Sequence, residues 1–364
     1  MIPTMHVDRD HRGQGRYTLT DTGSGHVWGV CAETEGLFRE PRRGTYELLG
    51  WVPDGAEVRG WVGSRVWLVP EDETLDAWLL EDAESLGQHP GTDGLVLTGL
   101  DDYEGPPEGH RGPVRLHDGY RWLGSCREFA RVLPSSQAEP PLVLLGLAPS
   151  DRLRRALTTG TRRTLDLEEA RLEIRDDRGE PLTDRLLHPK VRAWEPSSRG
   201  TDLIDLELDA HVAPVPGYTR SVWERWLAGP PEAAGAWARL ETRQRGAWLD
   251  LVRERGCRLK HQDRRAAHAY ELDGLHITDE PSLYLALGEA VNGPGGYFGS
   301  SPDGLVDCLR GYFGYTAPAT LLWRDAATAR EYLSCVLAPE GEQYDLVALV
   351  LDILTEGGMH VIFA

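Results

Sequence analysis

Hydrophobic and polar residues alternate with period two over the first part of the chain. The runs RYTLTD (16–21), HVWGVC (26–31), YELLGWV (46–52), SRVWLV (64–69), DAWLLED (76–82) and GLVLTG (94–99) read as short strands. Gly, Pro and Asp punctuate them, which marks a β-rich region. Residues 1–14 are polar and read as a loose lead-in.

The runs recur in the same order. Leu-Thr-Asp (19–21) leads to WGVCAE (28–33), as Leu-His-Asp (116–118) leads to LGSCRE (123–128). LLGWVP (48–53) matches LLGLAP (144–149), offset by 96, and GTDGLVLTGLDD (91–102) matches GTDLIDLELDAH (200–211), offset by 109. The pattern predicts a tandem duplication of one β-rich module, with copy 1 over 16–110 and copy 2 over 113–212. The growing offset predicts an insertion in copy 2 around 177–199. SDRLRRALTTG (150–160) adds helix character that DGAEVRGWVG lacks.

The period then shifts towards 3.6. GYTRSVWERWLAG reads as a short helix. After Pro230-Pro231, the stretch EAAGAWARLETRQRGAWLDLVRERG places Trp237, Leu240, Trp248 and Leu251 on one stripe, closed by Gly256. Residues 217–256 are thus expected to be a helical connector, and CRLKHQDRRAAH (257–268) a polar linker. The remainder reads strand AYELDGLHI, helix EPSLYLALGEAV, loop NGPGG, a central helix, strand PATLLW, helices DAATAREYL and YDLVALVLDIL, and a final strand GMHVIFA. That order predicts a small α/β domain over 268–364, three-layered, with a parallel three-stranded sheet. Residues 260–364 are expected to fold alone.

The central helix, within Gly296–Gly314, has an unusual composition. Ser301 suits the N-cap, Pro302 the first helical position, and Asp303 the positive end of the dipole. Leu305, Cys308, Leu309 and Tyr312 recur at helical spacing and are expected to face a core. Asp303, Asp307 and Gly311 share the other face, with Gly304 beside them. Two like charges four apart cost a few tenths of a kcal/mol, and each interior glycine up to about 1 kcal/mol. Such a face is built poorly for stability and well for close approach by a second surface.

Charge sharpens this. The net charge is −19, and residues 268–364 carry 14 acidic against 3 basic residues, with no Lys. An acidic excess argues against nucleic acid as a direct partner and suits a basic protein. Cys31, Cys126, Cys257, Cys308 and Cys335 are widely spaced and make neither a disulfide framework nor a zinc pattern. No apolar run of 18 residues and no apolar leader follows Met1. A reduced, cytoplasmic protein that contacts no membrane is expected.

The C-terminal domain resembles barstar, the inhibitor family of barnase-type ribonucleases. The resemblance covers about 268–364. It rests on the DGLHI turn, the YFG loop, the D-G-L-V-D helix, the Gly311-Tyr312 pair, the P-x-x-L-x-W strand ending at Trp323, and EGGMHVIF. The resemblance implies that the helix and the loop before it plug a ribonuclease active site. It implies that Asp307 occupies the substrate phosphate site, with Asp303 also pairing with basic residues. Tyr297 matches an aromatic that covers the nuclease's catalytic His, with Phe298 beside it. Gly299, Gly304 and Gly311 match close backbone contacts, and Asp352 a peripheral acidic one. This chain departs from the family at Val306 and Tyr312, each in place of a Trp, and at Ser301-Pro302 in place of Asn-Leu. Cys308 matches a family cysteine and reads as a buried small residue.

Other constellations carry no chemistry. GSGHVWG (23–29) and GPGGYFG (293–299) fit neither phosphate-loop pattern. The 12 His show no metal spacing. GSSPDG is not a nucleophile elbow, and Ser300 lacks a base. DDYE (101–104) reads as a solvated loop, and the 12 Trp as core. The expected function is therefore non-catalytic, without cofactor or metal: an intracellular immunity protein that neutralises a basic, secreted or toxin ribonuclease. The repeats are expected to bind a second protein and to be dispensable for inhibition. The alternative is an adaptor or regulatory protein whose barstar-like domain binds a partner that is not a ribonuclease.

Overall fold

The computed structural model describes residues 15–364 apart from 39, 56, 89–90, 101–110, 133–140, 160–164, 210–214 and 260. The lead-in 1–14 and DDYE (101–104) lie outside the described residues.

The chain opens with strands β1 (Tyr17–Asp21), β2 (Val27–Cys31) and β3 (Glu33–Glu35). Next come β4 (Arg43–Leu49), β5 (Val52–Pro53), β6 (Gly60–Pro70), β7 (Trp78–Gln88), β8 (Leu95–Leu100), β9 (Val114–His117), β10 (Trp122–Cys126) and β11 (Glu128–Val132). β12 (Leu142–Pro149) leads to helix α1 (Asp151–Thr159). Then follow β13 (Leu165–Asp166), β14 (Ala170–Arg175), β15 (Pro181–Leu187), β16 (Lys190–Pro196) and β17 (Ile204–Asp209). Helices α2 (Arg220–Leu227) and α3 (Thr242–Gly256) precede β18 (Ala269–Asp273), α4 (Glu280–Asn292) and α5 (Pro302–Leu309). The chain ends with β19 (Ala319–Arg324), α6 (Ala326–Leu333), β20 (Val336–Leu337), β21 (Gln343–Tyr344), α7 (Leu346–Glu356) and β22 (Met359–Phe363).

The alternating runs form two antiparallel sheets, but not from the two contiguous halves expected. One compact unit takes residues 1–40 and 138–231; the other takes 41–137 and 232–364. In the second unit the strand order is β11-β4-β8-β7-β6-β9-β10-β5. Only Gly50 and Trp51 separate β4 from β5, so this order closes into a ring. Inward-facing Tyr46, Leu48, Val66, Leu68, Leu80, Leu97 and Leu116 are each at most 1% exposed and fill it. In the first unit the order is β13-β16-β17-β12-β2-β1-β14-β15, with β3 on β12.

The repeated stretches occupy equivalent ladder positions. Leu48 faces Phe129 and Pro53 faces Gly124. Leu144 faces Thr34 and Pro149 faces Gly29. Each β-hairpin set therefore pairs across the expected boundary: β1–β3 with β12, and β9–β11 with β4 and β5. Sequence periodicity reports alternation and is silent on which run is the partner, so the boundaries 16–110 and 113–212 do not delimit the compact units. Leu95 opposes Leu48, whereas Leu206, not Ile204, opposes Leu144. The slip of two residues keeps the same face inward. The expected insertion falls where the one long strand β7 is replaced by β15 and β16, joined through His188-Pro189.

The connector is divided too. α2 belongs to the first unit and α3 to the second. Residues 232–240 are turns, with Gly235 at φ 73°, and the helix starts only at Thr242. Trp237, 3% exposed, is buried without being helical. α3 is held at its start by the N-cap of α4: Asp279 accepts from Thr242 Oγ1 at 2.6 Å and pairs with Arg245 at 2.9 Å. Arg243 reaches Asp82 at 2.8 Å, which also pairs with Arg43 at 2.7 Å and accepts from Trp61 Nε1 at 3.1 Å. Asp82 is buried, so both guanidiniums are needed to offset its desolvation.

The C-terminal region has the expected parallel sheet, in the order β18-β19-β22. Its middle strand buries Leu321 and Trp323 completely. The hairpin β20–β21 was not legible as strands. It meets the ring of its own unit: Leu337 N donates to Gly119 O at 2.6 Å, and His117 Nε2 lies 3.1 Å from Pro339 O.

Candidate functional site

α5 forms where its capping signals place it. Ser301 is extended at φ −159°, and its Oγ accepts from Gly304 N at 3.1 Å. Pro302 follows at the first helical position. Leu305 and Cys308 are buried on the inner face. Burial pushes the Cys308 thiol up to about 12, so it is an inert packing residue. α5 packs on α7 through Leu309, which lies against Gly357.

The outer face carries Asp303 and Asp307, both exposed, with Gly304 and Val306 partly covered between them. Asp352, on α7, is exposed as well. Asp307 is not bare: Arg310 Nη1 donates to its Oδ1 at 2.9 Å. Both side chains are well exposed, at 74% and 69%, so this pair contributes only about 0–1 kcal/mol and yields readily to a stronger partner. Arg310 is a residue the reading of the sequence overlooked. Its signal was present in the three-residue spacing from Asp307.

The helix stops at Leu309, earlier than its apolar spacing suggested. Gly311 has φ 113° and Tyr312 has φ 69°, so the backbone leaves the helix before Tyr312. Tyr312 therefore does not face the core; it is 83% exposed. The apolar stripe continued in sequence, but the left-handed turn rotated its last member into solvent.

The loop before α5 behaves in the opposite way. Tyr297 is 6% exposed and Phe298 fully buried. Gly299, at φ 94°, lets the loop pass against Leu305; a Cβ there would lie 2.9 Å from Leu305 Cα. Tyr297 is covered by the end of α3, where Gly256 lies against its ring. Phe313 meets it edge-on at 5.8 Å. Burial raises the Tyr297 phenol above its ordinary range. Of the expected surface residues, then, Asp303, Asp307, Tyr312 and Asp352 present side chains outward. Tyr297 and Phe298 do not: the end of α3 lies over Tyr297, and Phe298 turns inward against Tyr315, ring centroids 5.9 Å apart.

Residues 257–268 were expected to be a polar linker. Instead His261 stacks near-parallel on Phe313 at 5.8 Å, and Asp263 accepts from the backbone of the turn after α5. Among the described residues no group of three or more His, Cys, Asp or Glu could hold a metal ion. Among them, too, no helix is long and apolar enough to cross a membrane.

Residues 267–341 match the model of the family described as Barstar (barnase inhibitor). The match spans β18 through the start of the β20–β21 hairpin and includes all of α5. No curated protein matches the chain.

Proposed function

We propose that this protein is an intracellular inhibitor of a barnase-type ribonuclease, and that the outer face of α5 blocks the nuclease active site. The observation that carries the reading is the pair Asp303 and Asp307, exposed on one face of a capped helix inside the region that matches the barstar family. A ribonuclease must hold a phosphate with cationic side chains. Two carboxylates fixed on a short helix occupy the same electrostatic role. Acidic excess over 268–364 favours encounter with a basic partner. Tyr312 and Asp352 extend the surface. The β-rich units are duplicated recruiting modules in this reading, with no catalytic part, no cofactor and a second protein as their partner.

The test is inhibition of RNA cleavage by a barnase-type ribonuclease, using the full chain. Stoichiometric inhibition that is lost in the double variant Asp303→Ala, Asp307→Ala supports the proposal. Equal inhibition by that variant rejects the phosphate-mimic mechanism. A second reading, an adaptor that binds a different partner, is favoured by the buried Tyr297 and the self-paired Asp307. No binding of the ribonuclease at all would support that reading instead.

A further inference from the structure

Asp263 stands outside the matched family region, and is the one acid in the segment CRLKHQDRRAAH. Its carboxylate binds two backbone amides. Oδ2 accepts from Tyr312 N at 2.9 Å, and Oδ1 accepts from Gly314 N at 2.9 Å. Both amides belong to the turn that ends α5. Arg264 N donates to Gly314 O at 3.4 Å, which draws the same two stretches together. His261, stacked on Phe313, is tied back to α3 through Nε2, 3.0 Å from Gly256 O.

This grip explains an otherwise unfavourable conformation. Tyr312 is a bulky residue in the left-handed region, at φ 69°, and is 83% exposed. A bulky side chain stays there only when its surroundings over-determine the backbone. Two charge-assisted hydrogen bonds from one carboxylate do that. The residue buries little of its surface against the described residues. An exposed aromatic side chain on a backbone held in place just after the helix that carries Asp307 is suited to meeting a partner, because part of the backbone ordering cost is met before binding.

We propose that Asp263 is a positioning residue of the inhibitory surface: it holds the turn from which Tyr312 projects into solvent at the end of the helix that carries Asp307. The inference rests on the reading of that surface as the ribonuclease-binding one. The matching chemistry on the partner is a cationic side chain or apolar ledge next to its phosphate site, placed to take the tyrosine ring.

The experiment uses the full chain, with Asp263→Ala, Asp263→Asn, Tyr312→Ala and the double variant Asp263→Ala, Tyr312→Ala. Amide hydrogen exchange at Tyr312 and Gly314 is read without ligand, and dissociation from a barnase-type ribonuclease is read with it. Asp263→Ala is expected to speed exchange at both amides at least tenfold. Dissociation should quicken about tenfold in each single alanine variant, with the double variant no worse than Tyr312→Ala. Additive losses in the double variant, or unchanged exchange in Asp263→Ala, would overturn the proposal. If Asp263→Ala does not fold, Asp263→Asn keeps one acceptor oxygen and should deprotect only one of the two amides; unchanged protection of both overturns the proposal. Failure of the unsubstituted chain to bind the ribonuclease rejects the inhibitor reading and, with it, Tyr312 as a presented anchor.

Discussion

Gly256 and Tyr297 are in direct contact: a methyl group on Gly256 would lie 2.9 Å from Tyr297 Cγ and closer still to its Cβ. The end of α3 is thereby seated on the loop that introduces α5. Gly256→Ala should gain up to about 1 kcal/mol of helix propensity. It should lose about 1–3 kcal/mol to overpacking. Gly256→Val removes the propensity gain and should destabilise more. Chemical denaturation of both variants checks the order, and an unchanged midpoint for Gly256→Val would show that the contact is soft.

On the proposed reading, removing Asp307 should weaken ribonuclease binding most, by about 2–5 kcal/mol, a range drawn in part from complexes of the barstar family. Asp303→Ala should cost a similar amount or less. Arg310→Ala should move the other way, because Asp307 no longer has to leave its neighbour; the gain is about 0.2–1 kcal/mol and fades with added salt. Surface plasmon resonance across a salt series separates the three.

His117 gives the protein an acid sensitivity. It is fully buried; its Nδ1 accepts from Gly119 N at 3.2 Å, and its Nε2 faces Pro339 O at 3.1 Å. Burial lowers its pKa below the ordinary imidazole value of 6.5. Neutral His117 is therefore favoured in the folded chain. Its contribution is complete above pH 6.5, where the unfolded imidazole is also neutral, and is lost as pH falls from there through the folded value. Melting temperature should drop between pH 7 and pH 5, and His117→Gln should flatten that part of the profile. An identical slope in the variant would assign the sensitivity elsewhere.

Deleting residues 1–40 removes β1, β2 and β3, on which β12 and β14 pair. β12 then loses β2 and β3, and β14 loses β1, so the ladder that joins those two strands is broken. The truncated chain should retain the cooperative transition of residues 41–137 with 232–364 and lose the other. Scanning calorimetry that still shows both transitions would mean that β1–β3 are accessory.

Residues 232–364 should be more stable than 260–364. The shorter fragment loses α3 and with it the pairs Arg245–Asp279 and Gly256–Tyr297. It uncovers the Tyr297 ring. A lower midpoint, with near-ultraviolet dichroism showing a mobile tyrosine, is the expected outcome.

Much of the α/β region was legible because its signals are local. Ser301, Pro302 and the apolar pair Leu305 and Cys308 specify α5 within eight residues, and the terminal strand reads directly from MHVIF. Asp303 and Asp307 were visible as a shared face for the same reason. Tyr312 was misread because helical spacing says nothing about where the backbone leaves the helix. Tyr297 was misread because its cover comes from Gly256, forty-one residues earlier. Asp263 offered no signal, since a carboxylate that binds backbone amides looks like any acid in a basic run. Strand runs 16–99 were found, but which run pairs with which depends on long-range ladders that alternation does not encode.

The exchange of hairpins between the repeated stretches sets a timetable for synthesis. β1 and β2 leave the ribosome well before their partners β12 and β14, which lie more than a hundred residues downstream. The ring of β4 to β11 has all its strands by residue 132, before the sheet that began the chain can complete any ladder beyond the β1–β2 hairpin. At ordinary rates of about 5–20 residues per second, the first hairpin waits several seconds with Leu19 and Trp28 in water. Nascent chains stalled when residue 132 has just cleared the ribosome should thus hold one closed ring and one exposed hairpin, the species most in need of a chaperone.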